Sequence, residues 1–261
     1  MSSQFRKKLQ TLKRGVLIKM QRFLNFFGFV YLPKAICLED GLWVNGRNLE
    51  FFEGEKFLES YEVGVNSGHS LGAINVKWRM ATICWAVRHA SHLKGDFVEC
   101  GVNTGIASLT GARYIEFEKL KDKTWYLFDT FCGIPEEGLG AQERDKVDLM
   151  NRHYFDCFDL VQKNFEDYDN ITLVKGVVPE SLDSVSIGSV AYLSIDMNLA
   201  APEIAAFRHF WPKLVTGAVV VLDDYGFAGF EEQKEAMDAL ANEKGVEIFS
   251  VPTGQGLLIK P

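Results

Sequence analysis

The sequence predicts an α/β protein with a doubly wound, mostly parallel sheet of seven strands. Three observations carry that expectation. From residue 97 onward, short apolar runs alternate with helical patterns, the signature of β-α units around a parallel sheet. Glycines and acidic residues gather where those apolar runs end. The last two runs are separated by only Pro252-Thr253-Gly254-Gln255-Gly256, too short for a parallel crossover, so the sheet ends in an antiparallel hairpin.

Each element follows in order. Trp78 to Leu93 reads as a helix with Ile83, Ala86, Val87 and Ala90 on its apolar side. Phe97–Cys100 is a strand, followed by a glycine-containing turn and a helix from about Gly105 to Phe117. Trp125–Phe128 is the second strand, a helix covers about 150–165, and Ile171–Val174 is the third strand. Val190–Ile195 is the fourth. Pro202 suits the first turn of the next helix, which ends near Leu214. Ala218–Leu222 is wholly apolar and therefore central. A helix over 230–243 and strands at 246–251 and 257–260 complete the chain.

The first seventy-odd residues are different in kind. Residues 1–38 carry eight basic side chains and no acid, whereas the remainder holds 20 basic against 35 acidic residues, a charge of −15. The net charge of −7 disfavours nucleic acid as a partner. Residues 4–27 read as a basic amphipathic helix. The apolar run from Phe23 to Leu32 is too short to span a bilayer. Peripheral membrane contact through residues 1–32 and packing on the body of the protein or on a second subunit, as in a homodimer, are its candidate roles. Residues 41–75, with six glycines, read as irregular, and 65–72 as a mobile loop that contains His69. The expected division is a basic helical extension with a lid region over 1–74 and a ligand-binding domain over 75–261. Five scattered cysteines without a CxxC pair argue against a disulfide framework or structural zinc and fit a reducing, cytoplasmic setting.

The candidate chemistry lies at the strand ends, where open α/β sheets bind ligands. Glu99-Cys100-Gly101-Val102-Asn103-Thr104-Gly105 follows the first strand, and its glycines allow close backbone approach. It departs from the dinucleotide fingerprint, since Asn103 and Ile106 stand where glycines are needed, so a ligand without a pyrophosphate suits it better. Glu99 favours a cationic ligand. Asp129, at the end of the second strand, can accept both ribose hydroxyls of a nucleoside. Asp196 ends the fourth strand and Asp223-Asp224 the fifth. With strands about 4.8 Å apart, these carboxylates can converge and attract a hard cation such as Mg²⁺. His69 is the histidine best placed to move over a site.

Five ordered motifs resemble the macrocin O-methyltransferase (TylF-like) family. They are Gly95-Asp96-Phe97-Val98-Glu99-Cys100-Gly101-Val102; Leu127-Phe128-Asp129-Thr130-Phe131 with Gly133-Ile134-Pro135; Lys175-Gly176 with Pro179-Glu180-Ser181-Leu182; Ile195-Asp196 with Trp211-Pro212-Lys213-Leu214 and Gly217; and Leu222-Asp223-Asp224-Tyr225-Gly226. The resemblance implies a class I, Rossmann-like methyltransferase domain that uses S-adenosyl-L-methionine and a divalent metal to methylate a hydroxyl of a sugar, glycan or natural product. It also implies cofactor contacts at Glu99, Gly101, Asn103, Thr104, Gly105, Asp129, Thr130, Gly176, Val177, Ser181 and Asp196. Asp196, Asp223 and Asp224 would be the metal ligands, and Asp196 or His69 would handle the proton. Where the family commonly has Gly-Asp-x-Tyr, this chain has Met197-Asn198-Leu199-Ala200, a neutral amide in place of a carboxylate. The alternatives are a nicotinamide-dependent oxidoreductase and a non-catalytic, membrane-docked binding protein.

Overall fold

A computed structural model describes residues 36–45, 47–69, 75–136 and 141–261, together with Lys19, Met20 and Phe23. Two compact units divide the chain; the larger holds residues 39–42 and 49–261. The expectations for residues 1–32, membrane contact included, lie almost wholly outside the described residues. Among the described residues no helix is long and apolar enough to cross a membrane.

The larger unit is built on a seven-stranded sheet. Its strands are β3 (Asp96–Cys100), β4 (Trp125–Asp129), β5 (Ile171–Lys175), β6 (Val190–Ile195), β7 (Leu214–Leu222), β8 (Phe249–Ser250) and β9 (Gly256–Ile259). Across the sheet the order is β5-β4-β3-β6-β7-β9-β8. The first five are parallel, and β9 runs antiparallel to both β7 and β8. Strand order therefore reverses between β3 and β6, which opens a crevice at their carboxyl ends. A separate two-stranded pair, β1 (Ile36–Glu39) and β2 (Leu42–Asn45), precedes the sheet.

Alternation along the strands sorts side chains onto two faces. Val98, Cys100, Phe128, Leu193, Ile195, Val220 and Leu222 share one buried cluster. Phe207 and Phe210 of α7 (Ala200–Phe210) and Met237 and Leu240 of α8 (Glu231–Glu243) pack into it. The opposite face is aromatic. The Trp125 ring meets Phe97 and Phe117 at 5.3 Å and Tyr192 at 5.6 Å between centroids, in tilted or edge-on contacts that such rings favour. Helices α3 (Lys77–Ala90) and α4 (Ile106–Ile115) cover that side, with Ile83 and Val87 of α3 close to Gly111 of α4.

Several elements differ from expectation. The stretch read as irregular holds helices α1 (Glu50–Glu53) and α2 (Glu55–Val65). Gly64 lies within α2 because the helix presses on α4 there: a Cβ at Gly64 would meet the Thr110 hydroxyl at 2.0 Å. The helix expected over 150–165 is two, α5 (Ala141–Asn151) and α6 (Phe158–Asn164). Between them the Cys157 amide donates to the Phe131 carbonyl at 2.8 Å, fastening the break to the loop after β4. Helix α7 stops at Phe210, with a 3₁₀ turn at Trp211–Lys213, and β7 begins four residues earlier than read. The strand expected at 246–251 is reduced to Phe249–Ser250.

Leu193 is fully buried at the centre of β6. Leu193→Ala leaves a cavity between sheet and helices, and should lower the unfolding free energy by about 2–5 kcal/mol in urea titrations with little change in slope.

Candidate functional site

The crevice is a cavity of about 770 Å³ lined from the ends of β3, β4, β6 and β7 and the turns that follow them. Backbone hydrogen bonds one step beyond the sheet set its walls. Gly101 N–H donates to Phe128 O at 2.8 Å, Asp196 N–H to Cys100 O at 2.8 Å, Asp223 N–H to Ile195 O at 3.0 Å, and Gly176 N–H to Asp129 O at 2.9 Å.

The turn after β3 forms one wall. Gly101 has φ +88°, and a Cβ there would lie 1.8 Å from the Asp196 carbonyl oxygen, so only glycine fits between the two turns. Glu99 is almost fully buried, and its Oε2 has no hydrogen-bond partner among the described residues. Burial, then the charges of Asp196, Asp129 and Asp223, hold its carboxyl well above the usual range. An orphaned carboxyl at a cavity wall is a ready acceptor for a cationic ligand group. Asp129 reaches back across the turn. Its Oδ2 accepts from Val102 N–H at 2.6 Å and Asn103 N–H at 2.8 Å, and its Oδ1 from Phe131 N–H at 2.6 Å. It braces the turn and lines the cavity, with one Oδ1 lone pair beyond these three backbone bonds.

Of the expected contacts, Glu99, Gly101, Asn103, Asp129, Thr130, Gly176, Val177 and Asp196 line the cavity. Thr104, Gly105 and Ser181 stand behind it. The Thr104 and Ser67 hydroxyls are hydrogen-bonded at 2.8 Å. Gly105 faces the Phe165 ring, and Ser181 backs Gly176. They shape the wall and do not form its surface. His69 lines the cavity, half-buried, and burial followed by the charge of His153 lowers its pKa, favouring the neutral ring.

The three aspartates converge. One carboxylate oxygen from each of Asp196, Asp223 and Asp224 lies within 4.8 Å of the others. Burial, then the neighbouring carboxylates, push Asp196 and Asp224 well above the usual range, and Asp224 Oδ2 has no partner among the described residues. This oxygen-rich donor set fits a hard divalent cation.

Sequence reasoning missed four contributors. Arg79 on α3 donates from Nη1 to Asp223 Oδ2 at 3.0 Å and from Nε to Asp40 Oδ1 at 3.1 Å. Burial opposes its charge, but Asp223 and Asp40 outweigh burial and hold the guanidinium protonated more firmly than usual. Gln255 donates to the other Asp223 oxygen at 2.9 Å. Tyr154, from the break between α5 and α6, lines the cavity and accepts from Asn198 Nδ2 at 3.4 Å. Glu203, in the first turn of α7, accepts from Met197 N–H at 3.2 Å. Each acts across a long sequence separation or from a position that reads as ordinary helix. The one sequence signal was Glu203 after Pro202, which is explained equally well by the helix dipole.

A family model described as Macrocin-O-methyltransferase (TylF) matches residues 74–249. Demethyldecarbamoylnovobiocin O-methyltransferase of Streptomyces niveus is 26 % identical over 142 residues, covering 52 % of this chain and 54 % of that protein. Mycinamicin III 3''-O-methyltransferase of Micromonospora griseorubida is 25 % identical over 142 residues, covering 50 % and 55 %. The chain thus spans about half the length of the curated relatives it matches. Among solved structures, the O-methyltransferase NovP superposes with a TM-score of 0.62 at 23 % identity, covering 70 % of this chain and 79 % of that one. The calicheamicin methyltransferase CalS11 does so at 0.56 and 17 %, covering 83 % and 98 %. These structures share the fold.

Burial, with Asp196 next in weight, pushes the Glu203 carboxyl up to about 8, so its contribution to stability is complete below about 4.5 and is lost as pH rises toward 8. Glu203→Gln keeps an acceptor for Met197. Urea midpoints measured from pH 4.5 to 8 should fall more steeply for the wild type than for this variant, by roughly 4 kcal/mol at most across the window.

Proposed function

The chain belongs to the macrocin-O-methyltransferase (TylF) family, and we propose from that membership and from the cavity that it is an S-adenosyl-L-methionine-dependent O-methyltransferase. Its acceptor is a hydroxyl of a sugar, glycan or other natural product, and a divalent cation such as Mg²⁺ assists. The observation that carries the reading is the pairing of an orphaned, buried Glu99 carboxyl with the glycine-lined turn at Gly101, in a cavity that three converging aspartates also line.

In this reading Glu99 accepts the cofactor's ammonium group, and the backbone at Gly101 and Asn103 allows the amino-acid part to lie against the turn. Asp129 accepts a ribose hydroxyl with the Oδ1 lone pair its three backbone bonds leave open. Gly176 and Val177 lie beside the adenine, and Thr130 flanks the ribose. Asp196, Asp223 and Asp224 hold the cation and the acceptor end of the site. Bound there, the cofactor supplies an electrophilic methyl on sulfur, and the cation supplies an acidified acceptor hydroxyl. The chain's own contribution is alignment and exclusion of water. Neutral His69 takes the hydroxyl proton, with Asp196 as the carboxylate alternative. Asn198 offers an uncharged donor and acceptor where the family commonly has a carboxylate, so it sets the shape of the acceptor end.

Calorimetry tests the cofactor assignment. The protein should bind S-adenosylhomocysteine and not NAD, and Asp129→Ala should weaken that binding by about tenfold or more, near 1.4 kcal/mol. Asp224→Asn should leave it within about twofold, because that side chain serves the acceptor end. Binding of NAD in place of S-adenosylhomocysteine overturns the assignment in favour of an oxidoreductase.

A further inference from the structure

The acid cluster already has a resident positive charge. Arg79 stands 144 residues from Asp223 in sequence and donates to its Oδ2 at 3.0 Å. The guanidinium is held from its other side as well. Asp40, in the tight turn between β1 and β2, accepts from Arg79 Nε at 3.1 Å and from the Arg79 backbone N–H at 2.8 Å. Asp40 is itself fastened, its own N–H donating to Asn75 Oδ1 at 3.0 Å. The Arg79 guanidinium also lies over the Phe227 ring, 5.4 Å from its centroid. A planar fork bound by two carboxylates and resting on a ring is pre-organised. The second Asp223 oxygen is occupied too, by Gln255, whose own Oε1 accepts from the Thr253 hydroxyl at 3.1 Å. Asp223 thus differs from Asp224, whose Oδ2 has no partner among the described residues.

We propose that Arg79 competes with a divalent cation for Asp223, and that Asp40 is the seat that keeps the guanidinium when the cation takes that carboxylate. The inference rests on the reading of Asp196, Asp223 and Asp224 as the cation site. A cation held by Asp223 would share that carboxylate with Arg79 Nη1, 3.0 Å from its Oδ2, and like charges brought that close would repel strongly in a partly dry site. Arg79 therefore lowers affinity for the cation and stabilises the cluster when no cation is bound. Because Nε and the backbone N–H both stay on Asp40, the guanidinium can give up its single bond to Asp223 without losing its partner. Affinity is then set by two residues that do not themselves ligate the ion: Arg79, which competes with it for Asp223, and Asp40, which draws Arg79 away.

The two residues act with opposite sign, which makes the inference testable with Mn²⁺ alone. Free Mn²⁺ is followed by electron paramagnetic resonance on the full chain, with circular dichroism melts and S-adenosylhomocysteine calorimetry run alongside. Arg79→Gln should bind Mn²⁺ at least about tenfold more tightly than the wild type. Asp40→Asn removes the alternative seat, leaves the guanidinium on Asp223, and should bind Mn²⁺ about threefold more weakly or worse. A wild type too weak to titrate still decides the matter, since Arg79→Gln should bring the site into range. Unchanged or weaker binding by Arg79→Gln overturns the competition. If that variant fails to fold, Asp40→Asn decides alone, and unchanged or tighter binding there overturns it. Asp224→Asn separates the two levels: should it leave Mn²⁺ affinity untouched, the cluster is not the cation site. Should it abolish binding while Arg79→Gln brings no gain, only the competition fails.

Discussion

The site depends on the register of the parallel ladder at its last rung. Cys100 pairs with both Phe128 and Ile195, and Ile195 with Leu222, so four strands end nearly level. The next residue on each of three strands, Gly101, Asp196 and Asp223, is pinned by its N–H to a carbonyl near the end of a neighbour, those of Phe128, Cys100 and Ile195. The fourth, β4, ends at Asp129, whose own carbonyl accepts from Gly176. Chemistry-bearing residues are thereby held by sheet hydrogen bonds and do not depend on loop conformation. The Gly101 backbone and the Asp196 carbonyl come so close that no side chain can separate them. Both faces of the sheet are packed, with Phe97, Trp125 and Tyr192 on one and Val98, Phe128 and Leu193 on the other, and this fixes the register, since a slip of one residue would exchange the faces.

The same levelling concentrates negative charge. Glu99, Asp129, Asp196, Asp223 and Asp224 all line one cavity. Five carboxyls in a partly dry space oppose folding unless protons, cations or hydrogen bonds answer them. Each is answered differently. Asp129 is satisfied by backbone amides, Asp223 by Arg79 and Gln255, while Glu99, Asp196 and Asp224 hold their protons more tightly. Glu99 Oε2 and Asp224 Oδ2 are left without a hydrogen-bond partner among the described residues. The repulsion among these carboxyls is built into the strand ends, and under the proposed function it is what bound ligands would neutralise.

Most of the sheet was legible because its signals are local. Apolar runs flanked by glycine or acid marked every parallel strand, and the five-residue link before β9 marked the antiparallel end. Legibility failed where a long-range contact overrides a local one. Glycine frequency made 41–75 look irregular, yet Gly64 is within a helix because that helix must approach Thr110. One helix was expected across 150–165, but the Cys157 N–H bonds the Phe131 carbonyl, and the chain breaks there and presents Tyr154 to the cavity. The same distinction divides the expected turn residues. Thr104 and Gly105 sit in the right motif and face away from the cavity, toward Ser67 and Phe165.

What the sequence by itself determined is the order of strands and helices, the acidic residues at the strand ends and the glycine turn between them, because hydrophobic period and turn chemistry are written within a few residues. Only the tertiary structure decided which of those residues face the cavity and what neutralises them. Arg79, Asp40 and Gln255 reach their partners through chain reversals, and no local pattern specifies which charge will answer which across such distances.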